Sequence, residues 1–117
     1  MKYLCLIYSD ENRVAKLPAN ESKTLMGEYM AFTESIRKSG HLLGAERLQP
    51  THTATTIRSR NGKISTTDGP FAETKEQLGG FYMIEAKDLD DAIAVASRIP
   101  GTRTGSIEVR PIWELSS

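Results

Sequence analysis

Residues Tyr3–Tyr8 form an unbroken apolar run in which Tyr3, Cys5 and Ile7 alternate with Leu4, Leu6 and Tyr8. Both alternating sets are apolar, so the run predicts a strand covered on its two sides. The polar residues that follow, up to Pro18, read as a connecting loop. From Ser22 to Ser39 the period changes. Leu25, Tyr29, Phe32 and Ile36 recur at spacings of four, three and four, which is one face of a helix. Asn20 or Ser22 suits its start, Arg37 and Lys38 suit the negative end of its dipole, and Gly40 suits a left-handed stop.

Leu42–Leu48 predicts a short strand that ends before Pro50. Thr53–Arg60 is rich in β-branched residues, and Asn61-Gly62 is a strong signal for a type I′ hairpin turn, with Lys63–Thr67 as the returning arm. The Asp68-Gly69-Pro70 bend ends that arm, because Pro70 has no N–H to give a ladder. Glu73–Gln77 reads as a single helical turn. Gly80–Ala86 is a further strand with both faces apolar, Phe81 and Met83 against Tyr82 and Ile84. Asp88 caps a second helix whose expected buried stripe is Leu89, Ala92, Ile93, Ala96 and Ile99, stopped by Pro100-Gly101. Ile107–Trp113 is the last strand, and Pro111 inside it points to a sheet edge.

The resulting order is β-α-β, hairpin, β-α-β. This is an α+β chain, a ferredoxin-like split βαβ sandwich with an inserted β-hairpin. Two helices cover one face of such a sheet, yet the first and fourth strands are apolar on both. The economical cover for the second face is an identical subunit, which sets two sheets face to face.

Length and charge sharpen this picture. A chain of 117 residues is one domain, residues 1–117, with a core of modest size. Fifteen basic and fifteen acidic residues cancel, so no one-signed field draws nucleic acid or an anionic membrane, and little repulsion opposes self-association. A lone Cys5 excludes an internal disulfide and leaves no cysteine-based zinc site. No run approaches the ~20 apolar residues of a membrane span, and the N-terminal run ends in Asp10-Glu11-Asn12, unlike a leader peptide. The expected setting is cytoplasmic.

The densest motif is Asp68-Gly69-Pro70-Phe71-Ala72-Glu73-Thr74-Lys75-Glu76-Gln77-Leu78-Gly79-Gly80-Phe81. It resembles the signature of the DGPF, or YCII-related, domain family. Met30–Glu34, Leu48-Gln49-Pro50 and Gly105–Ile112 are similar to the same family, so the resemblance runs nearly end to end. It implies a ferredoxin-like fold that pairs as a dimeric α/β barrel. It also implies a link to extracytoplasmic-function sigma factors, beside or fused to which such domains occur. A His and Asp pair in a cleft has suggested enzymatic activity for the broader group. The helix position of that His falls on Tyr29 here, so an imidazole base does not carry over.

Candidate site residues follow from side-chain chemistry. Asp68 precedes a rigid bend that can hold a carboxylate at the mouth of a cleft, or it caps its own turn. On one helical turn Glu73 and Glu76 would share a side and, with Lys75 nearby, hold a polar ligand. Glu108 and Arg110 alternate with core residues and point to the second face, either as an ion pair between subunits or as the lining of a pocket for a small anion. Phe81 and Tyr29 supply apolar walls. His41 and His52 read as surface residues, His41 near the dipole end of the first helix. No metal or cofactor is expected. Three readings stand: a small homodimeric ligand-binding or regulatory domain, an enzyme using Asp68 as general acid or base with Tyr29 or Arg110 orienting a small molecule, and a structural interaction module whose polar residues only hold the loop and the interface.

Overall fold

The computed structural model describes residues 1–115. Strand β1 (Lys2–Ser9) is followed by a short helix α1 (Glu11–Ala15) and a long helix α2 (Ala19–Lys38). Strand β2 (Leu42–Arg47), a 3-10 turn at Thr51–Thr53 and strands β3 (Thr55–Arg60) and β4 (Lys63–Asp68) come next. Strand β5 (Gln77–Glu85), helix α3 (Leu89–Ala96), a 3-10 turn at Pro100–Arg103 and strand β6 (Ser106–Pro111) complete the chain.

Four strands form one antiparallel sheet in the order β2-β5-β1-β6, which leaves β5 between the two strands that α2 connects. The sheet is open and forms no closed barrel within one chain. β6 is an edge strand and Pro111 is its last residue, where the missing N–H costs no ladder bond. Gly80 allows the close approach of β2, since a Cβ there would lie 2.8 Å from the Glu46 carbonyl oxygen.

Helices α2 and α3 lie on one side of the sheet. There Tyr3, Cys5, Tyr82 and Ile84 meet Phe32 and Ile36 of α2 and Ala92, Val95 and Ala96 of α3, all buried. The Phe32 and Tyr82 rings meet edge to face with centroids 5.1 Å apart, and the Tyr82 hydroxyl lies 2.7 Å from the Thr33 hydroxyl. The α2 stripe follows the expected period. That of α3 is rotated: Val95 is buried, whereas Leu89 and Ile93 are each 49% exposed. The helix is only eight residues long, and its small residues Ala92 and Ala96 face the sheet closely.

Three local expectations are corrected. Residues Glu11–Ala15 are helical, not loop: the Asp10 carboxylate accepts from the Asn12 and Arg13 N–H groups at 3.0 and 3.4 Å. Helix α2 starts at Ala19 after Pro18, without a side-chain cap from Asn20 or Ser22. The stretch Glu73–Gln77 forms no helical turn. It closes on itself instead, with the Gln77 amide donating to the Thr74 carbonyl at 2.6 Å, and Gln77 already opens β5.

Strands β3 and β4 form a separate two-stranded ribbon. Its turn is the expected one, with Asn61 at φ 51° and Gly62 at φ 77°. The chain as a whole is extended: its radius of gyration is 16.4 Å, against about 13 Å for a compact chain of this length. Among the described residues, no helix is long and apolar enough to cross a membrane.

Candidate functional site: the open face of the sheet and its flanking loop

Alternation along the strands fixes what the side away from the helices carries. In register across β5, β1 and β6 lie Met83, Leu4 and Arg110, and in the next row Phe81, Leu6 and Glu108. Glu46 of β2 extends that second row and Tyr8 follows on β1. Leu4, Leu6, Tyr8, Phe81 and Met83 are half-buried, and no helix covers them. Apolar side chains thus fill the middle of the face, with charged groups at its two edges.

Glu108 and Arg110 pair with each other inside the strand. Residues two apart point the same way, and both side chains are long enough to meet, so the pair needs no second subunit to form. The Glu108 carboxylate pushes the Arg110 guanidinium pKa above its ordinary value. At the strand ends, Glu76 accepts a hydrogen bond from the Ser106 hydroxyl at 2.7 Å, which ties the loop before β5 to the start of β6.

The other loop residues lie outside this face. Asp68 is the last residue of β4 and is exposed, and its carboxylate accepts no hydrogen bond among the described residues. The bend beside it is held by backbone instead: the Gly69 N–H donates to the Ala54 carbonyl at 2.7 Å. Glu73 and Lys75 are exposed. Among the described residues, no group of three or more His, Cys, Asp or Glu side chains converges as a metal site.

Tyr29 belongs to the opposite layer. It is half-buried on α2 against the core, and burial, reinforced by Tyr82, raises its phenol pKa; a hydrogen bond with the Gly101 backbone acts the other way. Its other charged neighbours are Arg103 and Arg47, not Asp68. A single chain therefore brings Phe81, Glu108 and Arg110 together, with Glu76 at their end. It does not bring Asp68 to Tyr29, and Tyr29 lies against the helix-side face of the Glu108–Arg110 strand, near Ile107, on the opposite side from that pair.

The pattern that defines YCII-related domains matches residues 1–116. The chain belongs to the YCII-related family. It is also 40% identical over 114 residues to an uncharacterised protein of Rhizobium meliloti strain 1021, covering 96% of this chain and 92% of that one. At position 29 this chain carries a phenol, not an imidazole. With its pKa raised above the ordinary ~10, it stays protonated at neutral pH and can donate a hydrogen bond but not take a proton.

Two polar clusters escaped the sequence reading. His41 is half-buried, with Nδ1 2.6 Å from the Ser39 hydroxyl and Nε2 3.2 Å from the Asp91 carboxylate. These are the atom types of a nucleophilic triad, but the Ser39 hydroxyl also donates to the Ile36 carbonyl at the end of α2. Asp91 accepts the Lys87 N–H at 3.0 Å, and the cluster latches the end of α2 to the start of α3. In the second cluster, the Glu11 carboxylate accepts the Thr51 N–H at 3.1 Å, and the Glu11 N–H donates to the Gln77 side-chain carbonyl at 3.0 Å. This ties the turn before β3 to the start of β5. Partners 40 and 66 residues apart in sequence leave no local signal.

Proposed function

We propose that this YCII-related protein is a small homodimeric ligand-binding domain of ferredoxin-like architecture. In it, two copies set their open sheet faces together as a dimeric α/β barrel. The observation that carries this reading is the uncovered face itself, where Leu4, Leu6, Tyr8, Phe81 and Met83 lie side by side on the two central strands. Exposed aliphatic and aromatic surface of that extent is costly in water, and a second copy removes it without a new partner. Two such faces bring two Glu108–Arg110 pairs to the borders of an apolar interior. With Phe81 as a wall and Asp68, Glu73, Lys75 and Glu76 on the flanking loop, the enclosure suits a small polar molecule. A regulatory role beside a sigma factor would use this pocket as its sensor.

Screening a metabolite collection by thermal shift tests the reading. A bound compound raises Tm by mass action, and Arg110→Ala abolishes the rise while leaving the unliganded Tm within a few degrees. A rise that survives Arg110→Ala places the ligand elsewhere. The enzymatic alternative needs the Asp68 carboxylate inside a cleft, and its test is loss of turnover in Asp68→Asn.

A further inference from the structure

We propose that the β3–β4 ribbon is an exchanged arm: its isoleucine-bearing face seats against a second copy of this chain, along the rim of that copy's open sheet face. The inference rests on the homodimer proposed above and adds where the arm goes and what it carries.

The register separates the ribbon into two unlike faces. Thr55, Ile57 and Ser59 pair with Asp68, Thr66 and Ile64, so these six side chains share one face. Thr56, Arg58 and Arg60 pair with Thr67, Ser65 and Lys63 on the other. The second face is basic and solvates itself, and Arg58 reaches the Phe71 carbonyl at 3.5 Å. The first is neutral to acidic and carries the ribbon's two large apolar side chains, Ile57 and Ile64, which are 65% and 70% exposed. Every residue of the two strands except Thr56 is exposed, so the ribbon's own chain gives that face no cover. A two-stranded hairpin standing alone is marginal in water. Here Glu11 nonetheless ties the turn before β3, through the Thr51 N–H, to the first residue of β5, Gln77.

Area and reach favour a second copy as the occupant. A compact chain of 13.0 kDa exposes about 6,300 Å², whereas this one exposes 8501 Å². The excess of roughly 2,000 Å² is what one subunit of an obligate dimer covers. Six residues of strand span about 20 Å, enough to cross four strands spaced ~4.8 Å apart. A formal net charge of zero leaves no repulsion between copies. The consequence for the site is specific. Asp68 shares the isoleucine face, so the contact that seats the arm also carries this carboxylate from exposure in one chain to the rim of the other's interior. The binding cleft is then composite, with its loop carboxylate and its Glu108–Arg110 pair supplied by different subunits.

Hydrogen–deuterium exchange of the β3–β4 amides, read together with the dimer dissociation constant, tests this. Three variants are compared with the wild type: Ile57→Asp/Ile64→Asp on the seated face, Arg58→Ala on the opposite face, and Leu6→Asp on the sheet. In the wild-type dimer the ribbon amides exchange at least about tenfold slower than in the Leu6→Asp monomer. The double isoleucine variant dissociates at least about tenfold more readily, and Arg58→Ala matches the wild type. A double variant that dimerises normally with fast-exchanging ribbon amides overturns the arm and leaves the dimer standing. So does a ribbon equally protected in the monomer. A monomeric wild type overturns both.

Discussion

The two faces of the same four strands are built from similar side chains and finished differently. On one, Tyr3, Cys5, Tyr82 and Ile84 are sealed by α2 and α3, with Cys5 and Ile84 at 0% exposure. On the other, their sequence neighbours Leu4, Leu6, Phe81 and Met83 stay half-buried with no layer above them. Residue type alone does not decide burial; the covering element does. The helix-side face is therefore where folding stability resides, and the open face is where we propose that association occurs.

The largest effect expected from breaking this contrast is on the sealed side. Ile84→Ala empties fully buried volume beneath two helices and is expected to cost about 2–5 kcal/mol, read as a lower denaturant midpoint. The same chemistry on the open side gives a different readout. Leu6→Asp leaves a folded chain but places a charge in the proposed interface, weakening the dimer at least about 100-fold. Light scattering after gel filtration follows the change in mass. A Leu6→Asp protein that unfolds, or an Ile84→Ala protein that only dissociates, would reverse the assignment of roles.

Acid acts on the helical layer. The Lys87 N–H, with His41 adding to it, holds the Asp91 carboxyl below its ordinary value. A depressed folded pKa contributes stability that is present above the unfolded value of ~3.9 and is lost as pH falls through the lower folded value. Thermal melts below about pH 4 should thus show a steeper decline in wild type than in Asp91→Asn. The smallest expected effect is chemical. Burial pushes the Cys5 thiol up to about 11, so native protein should react negligibly with a thiol reagent at neutral pH. A Leu4→Cys thiol, one residue away on the open face, should react in dilute monomer and become protected as the dimer forms.

Much of the fold was legible because it is periodic. The apolar alternation of β1 and β5, the four-three-four stripe of α2 and the Asn61-Gly62 turn each state their geometry within a dozen residues. Helix α1 was not legible: five residues are too few to display a period, and only Asp10 marked its start. The expected turn at Glu73–Gln77 failed because the chain there serves the entry to β5, and hydrogen bonds between neighbours outweigh helix propensity. The candidate site was legible by halves. Alternation placed Glu108 and Arg110 on the second face, but no local pattern tells that Phe81 joins them there or that Tyr29 lies in the opposite layer. Contacts such as His41 with Asp91 depend on the end of α2 lying near the start of α3, which is a property of the packed sheet.

The most direct test of the open face is sedimentation equilibrium of the wild-type protein at low micromolar concentration. The account predicts a single folded species of about 26 kDa, twice the 13.0 kDa of one chain. A well-folded species that stays at 13.0 kDa across the concentration range would contradict it.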